Sequence, residues 1–202
     1  MSNEGAALET NPYQPPQAEV ADVPEAAGAL FYVVSPFKFW LLGVGTLGAY
    51  LLYWFYQHWA LLNRRDKSYW PVARTIFSIF FAHALFNEID AQLKRKRIAH
   101  FWAPGIWATV FVIATILNRI VSRLSLNMIP PVSAQLFMFA LLAPILWSTF
   151  QAQRAANAAE GDPDGRTNEN LTAANVIWLV LGAVWWTLIL LGLYNLIYRP
   201  FD

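Results

Sequence analysis

The chain has no cysteine, and only 13% of its 202 residues are charged. The first absence excludes disulfides, thiolate nucleophiles and cysteine-ligated metals together. The second excludes an ordinary soluble domain, in which roughly a quarter of the residues carry charge. Histidine is almost as scarce. His58, His83 and His100 are the only three, each in a different segment, so no pair has the spacing that builds a zinc site on one helix. There is no phosphate loop, no dinucleotide fingerprint and no nucleophile elbow. No catalytic residues, metal or cofactor are therefore expected, and the chain reads as a non-enzyme. A net charge of +1 gives no electrostatic basis for a nucleic-acid partner.

What is abundant is apolar and aromatic. Hydrophobic residues make up 57% of the chain, with ten Trp, eight Tyr and fourteen Phe. A helix needs about 20 mostly apolar residues to cross the hydrocarbon of a bilayer. Four stretches qualify, at about 37–62, 101–118, 132–151 and 175–197. The expected fold is therefore all-α, a polytopic helical membrane protein with a helical domain over residues 35–202. Residues 1–34 form the remainder. Their first 30 carry five acids, no Lys or Arg and several prolines, including the run "NPYQPP", which reads as a disordered acidic tail rather than a basic leader.

A fifth hydrophobic stretch, 71–93, has an uncharged core of only twelve residues, Thr75 to Phe86. At 1.5 Å per residue that core covers about 18 Å, too short for a comfortable span. It is read as a short re-entrant or interfacial helix, or a marginal span. Charge favours the first: with four spans, Arg64, Arg65, Lys67, Arg74, Lys94–Arg97, Arg154 and Arg166 share one side, ten basic residues against four. Lys and Arg accumulate on the cytoplasmic side, so this arrangement places both termini outside. A faint repeat, "YWFYQHWALLN" (53–63) against "WSTFQAQRAAN" (147–157), argues instead that 71–93 corresponds to the last span.

Three groups of residues are candidates for function. On the short helix, His83, Asn87 and Asp90 share a face with Lys94, and Arg74 and Glu88 flank it; ionisable groups at membrane depth often mark a pathway. Lys94, Arg95, Lys96 and Arg97 form a basic cluster suited to phospholipid head groups. The run "YLLYWFYQHW" supplies Tyr50, Tyr53, Trp54, Tyr56 and Trp59. Its outer part suits an interfacial aromatic belt, while Tyr50, Tyr53 and Tyr56 are expected to seek partners on neighbouring helices. Small residues (Gly45, Gly48, Ala49, Gly182, Ala183, Gly192) predict close helix contacts within the chain, with a protein partner or in a homo-oligomer.

The stretch "AYLLYWFYQHWALLNRRDKSYWPVARTIFSIFFAHALF" resembles a family of small bacterial inner-membrane proteins that carry a domain of unknown function. The resemblance lies in Tyr53-Trp54-Phe55-Tyr56, Trp59, Pro71, Arg74, Ile76 and Phe77, and in the late "NVIWLVLGAVWWTLILLGL". Gln57 stands where that family places a basic residue. The resemblance implies a multi-pass protein of the cytoplasmic membrane and implies no activity. An accessory, scaffold or assembly role is the first expectation, and a small transporter or channel subunit with 71–93 lining the path is the alternative.

Overall fold

A computed structural model describes residues 28–124 and 128–198, and all regular structure among them is helical. The tail through residue 27 lies outside the described residues. Seven α-helices follow in order: α1 (Pro36–Gly45), α2 (Tyr50–Arg65), α3 (Pro71–Ile76), α4 (Ser78–Arg95), α5 (Pro104–Leu124), α6 (Pro131–Ala159) and α7 (Ala173–Tyr198). Three of them, α5, α6 and α7, are long and apolar enough to cross a membrane. The chain is thus a helical membrane protein with three such helices among the described residues, where four were expected.

The missing span is the first one. Residues 37–62 do not form one helix, because the backbone turns over at Thr46–Ala49. Leu47 has φ +53° and Gly48 φ +84°, both in the left-handed region that ends a helix. The Gly48 N–H returns to the Gly43 carbonyl at 2.8 Å, and the Leu47 N–H to that of Val44 at 3.0 Å. The Tyr50 N–H then finds the Thr46 hydroxyl at 2.9 Å, which starts α2. Ten and sixteen residues span only about 15 and 24 Å as α-helix, so neither arm crosses alone.

Side-chain contacts show that α2 runs back beside α1. Phe39 and Tyr50 meet ring to ring at 5.9 Å. Along α6, Phe39 of α1 lies at Phe150 and Gly43, near the end of α1, at Leu146. The turn lies at Leu142, and α2 then climbs back until Trp54 bonds Gln153. Helices α1 and α2 are therefore a hairpin whose two open ends lie at the same end of the bundle. Its tip reaches the middle of α7, where a Cβ added at Gly182 would sit 2.1 Å from the Gly45 carbonyl oxygen and where Trp186 donates to the Val44 carbonyl.

Segment 71–93 repeats this behaviour. Tyr69, just before α3, donates to Glu88 in the second half of α4. The helix breaks at Phe77, and Arg74 and Phe81, on opposite sides of that break, lie 4.8 Å apart. Lys96, just after α4, caps the last turn of α6 through the Ala159 carbonyl at 2.6 Å. Chain entry and exit thus share one end with the first hairpin. The similarity between 53–63 and 147–157 falls on α2 and α6, which both run toward this end. The segments after them differ, since α3 turns back and α7 continues.

All the acids among the described residues (Asp66, Glu88, Asp90, Glu160, Asp162, Asp164 and Glu169) gather at this polar end. Of the described basic residues, only Arg119 and Arg123 lie toward the other. Three helices of membrane-spanning length leave residues 28 and 198 at opposite ends of the bundle, where four spans were expected to bring both termini to one side. The tail boundary moves too: Phe31 and Val34, expected in a disordered tail ending at 34, are 1% and 0% exposed.

The Gly45–Gly182 crossing gives a direct check. Gly182→Leu forces a side chain into the Gly45 backbone and should lower stability by about 1–3 kcal/mol, the usual cost of overpacking. Gly192→Ala, which meets nothing within 4 Å, should leave the thermal unfolding midpoint in detergent unchanged. Equal midpoints for the two variants would contradict the crossing.

Candidate functional site

The most connected polar site is one that the sequence reading did not select. Gln153, Asn157 and Glu160 share a face near the end of α6, in a stretch where Ala152, Ala155, Ala156 and Ala159 are fully buried. Small neighbours let another chain segment lie against the helix, and the extended residues 30–34 do so. Glu160 Oε1 accepts from the backbone N–H groups of Leu30 and Phe31, each at 3.1 Å. Gln153 donates to the Tyr32 carbonyl at 2.8 Å. Asn157 grips Val34 on both sides, donating to its carbonyl at 2.9 Å and accepting from its N–H at 3.3 Å. The amides thus do for this strap what a neighbouring β-strand does in a sheet.

The α6–α7 loop closes over the strap. Asp162 Oδ1 accepts from the Arg166 N–H and Oδ2 from the Thr167 N–H. The Thr167 N–H, with the Thr167 hydroxyl and further backbone donors, holds the Asp162 carboxyl below its usual range. The resulting turn needs Gly165, whose φ is +67° and where a Cβ would lie 2.4 Å from the Val34 carbonyl oxygen. Asn168 then donates to the Val33 carbonyl at 2.8 Å and accepts from Lys38 Nζ at 2.6 Å. Lys38 also donates to the Asn170 carbonyl at 2.7 Å and is only 1% exposed. A signal for it was present. A lone cation in the first turn of a helix opposes the macrodipole, which marks a lysine held there by something else.

The face anticipated on α4 does not form one cluster. His83 is exposed and pairs with Thr109 at 3.1 Å, and Asn87 is exposed. Asp90 accepts from Trp102 at 3.1 Å and pairs with Lys94 at 2.7 Å. Glu88 accepts from Tyr69 and lies 3.6 Å from Arg95. Arg74 stands apart, its guanidinium 4.4, 4.5 and 4.8 Å from the ring centres of Trp59, Tyr69 and Phe81. That cage explains the Arg74 and Trp59 positions as a lock between α2 and the second hairpin. Of the basic cluster, Lys96 caps α6 and Arg97 takes φ +55° to end α4. All four of its side chains remain exposed.

The aromatic run sorts differently from expectation. Tyr50, Trp54, Phe55, His58 and Trp59 are buried, whereas Tyr53 and Tyr56 are 45% and 40% exposed. Trp54 donates to Gln153, and His58 packs among Phe31, Tyr32 and Trp54. The run is therefore the inner wall against which the strap lies, and Trp59, expected at an outer belt, faces inward under Arg74.

A second feature is a cavity of about 570 Å³ at the tips of both hairpins. Leu47, Gly48 and Ala49 of the first tip and Ser78 of the second line it, with Asn118 and Arg119 of α5 and Gln135 of α6. Apart from Thr115, its other walls are mainly apolar. His83, Arg74 and Glu88, the residues named for a membrane path, are not among its lining.

Two measurements address the strap. Asn157→Leu leaves the Val34 N–H and carbonyl buried without partners, at a cost of about 1–3 kcal/mol for each group. The thermal midpoint should fall accordingly, with Arg154→Gln as an exposed neighbour that does not move it. For Asp162 the folded pKa lies below the unfolded one, so its contribution is full above the unfolded value and disappears as pH falls through the folded value. Amide exchange over residues 160–170 should accelerate in that acid window relative to Asp162→Asn, whose exchange profile should show no such step.

Comparisons with protein-family models, curated proteins and solved structures find no match to this chain.

Proposed function

We propose that this is a non-enzymatic accessory or scaffold protein, multi-pass in a bacterial cytoplasmic membrane, that contacts phospholipid and partner proteins. The observation that carries the reading is how the polar groups are used. Glu88, Asp90, Glu160, Gln153, Asn157 and Lys38 are all engaged in holding helices, strap and loop together, and they converge on no reactive centre. What they build is a rigid polar face over a membrane-embedded body. The resemblance in the aromatic run supports the bacterial cytoplasmic membrane.

In this reading the polar end faces the cytoplasm, because its basic residues outnumber those of the opposite end, Arg119 and Arg123. Both hairpins are then re-entrant from the cytoplasm, and Lys94–Arg97 lie at its head-group surface. Helix α7, largely exposed and with Gly182 its buried residue, offers the surface for lipid or for a partner helix. A small transporter or channel subunit is the second reading. It is favoured by the two hairpin tips meeting at one cavity, since irregular backbone at membrane depth is tolerated where it lines protein or a cavity.

Reporter fusions after Asn11, Lys67 and His100 should all give cytoplasmic signals, and one after Met128 should give the opposite signal. An external signal after Asn11 with cytoplasmic ones at Lys67 and His100 would restore four spans and sink the three-span topology. Purified protein in liposomes should show no solute flux. A flux lost when the cavity is altered by Gln135→Leu, and unchanged by His83→Ala, would favour the transporter over the scaffold.

A further inference from the structure

The end of the bundle away from the polar loops holds two cations with no carboxylate partner among the described residues. Arg119 and Arg123 lie one turn apart on α5. Neither has an ion pair or a hydrogen bond among the described residues, whose acids all lie at the other end. Lys94 and Arg95, by contrast, each have a carboxylate partner. Two exposed guanidiniums side by side repel each other, and an anion between them relieves that repulsion.

Arg119 faces two concavities at once. One is the cavity under the hairpin tips. The other is a shallower cleft of about 360 Å³ that it shares with Arg123, walled by Ile79, Ile116, Ile120 and Leu124. The larger cavity has polar lining from Thr115, Asn118 and Arg119 of α5, Gln135 of α6 and Ser78 of the second tip, beside apolar Phe55, Phe111 and Ile145. Arg119 is five residues from the end of α5, about 7.5 Å along the helix axis, a depth that suits the head-group boundary of a spanning helix. A small polar solute would leave the apolar walls unused, and an uncharged chain would leave the cations unused. An amphiphile with a phosphate at its neck uses both.

We propose that Arg119 and Arg123 bind the phosphate of an anionic phospholipid, with one acyl chain inserted into the cavity beneath the two hairpin tips. The occupied cavity ties the tips to α5, α6 and α7, so the lipid completes the packing of helices that do not cross the bilayer themselves. The site rests on the reading of the chain as a lipid-contacting membrane protein and gives that reading a specific ligand class and position.

The test uses the purified full chain in detergent, titrated with phosphatidylglycerol or with phosphatidylcholine of the same acyl chains, and bound lipid counted by native mass spectrometry. Phosphatidylglycerol should be retained preferentially. The double change Arg119→Gln and Arg123→Gln should weaken its retention about tenfold or more, while Arg166→Gln at the polar end leaves it unchanged. Ile189→Trp, which fills the cavity from α7 without touching either cation, should also weaken it. Unfolding midpoints for each variant separate loss of the site from loss of the fold. Equal retention of the two lipids, or an equal loss with Arg166→Gln, would overturn the proposal. So would full displacement by glycerol 3-phosphate, which would mark a soluble-phosphate site. Reporter topology is measured independently, so an absent lipid preference with intact topology removes this site and leaves the scaffold reading standing.

Discussion

The grip of α6 on the extended strap is the interaction on which the other parts depend. A backbone segment without a neighbouring strand or a helix of its own must find partners for its N–H and carbonyl groups before it can be buried. Residues 30–34 find them on Glu160, Gln153 and Asn157, and the rings of Phe31 and Tyr32 then seal His58 and Trp54 from outside. Because Trp54 itself bonds Gln153, the same amide fixes the strap and the returning arm of the first hairpin. The Asp162 turn adds the third layer by delivering Gly165 to the Val34 backbone and Asn168 to Val33 and Lys38. Strap, loop, α1 and α2 are therefore one polar assembly mounted on the end of one long helix.

That mounting explains how two short hairpins stay in place without crossing the bundle. The first is fixed at its open end by the strap and at its tip by glycine contact with α7 and leucine contact from α6. The second is fixed at its open end by Tyr69–Glu88 and by Lys96 on α6. Farther in, Arg74 is held among three aromatic rings. A guanidinium can sit among rings where a strongly hydrated ammonium would not, because it is more weakly hydrated and planar. The tips line a cavity beside Arg119, toward the end of the bundle opposite the strap.

The site was less legible than the fold, for a physical reason. Glu88, Asp90 and the basic cluster could be selected because charge in a hydrophobic chain is conspicuous. Gln153, Asn157 and Asn168 are neutral, and their partners are main-chain atoms more than a hundred residues away in sequence. No side-chain pattern encodes such pairing. Lys38 was an exception, a cation in a helical first turn, and its meaning depended on a loop that only folding brings near.

The sequence by itself determined the helical class and three of the helices long and apolar enough to cross a bilayer, because hydrophobic length is a local property. It also showed that 71–93 was too short to cross comfortably. The direction of the chain inside the bundle was left to the tertiary structure. The run "WLLGVGTLGAYLL" is equally apolar whether it continues or turns back, and its three glycines permit both. The turn requires Leu47 at φ +53°, a conformation that costs a residue with a Cβ free energy and that persists here because α6, α7 and the Thr46 hydroxyl hold both sides of it. Hydropathy has no term for those contacts, so a span in the sequence became a hairpin in the fold.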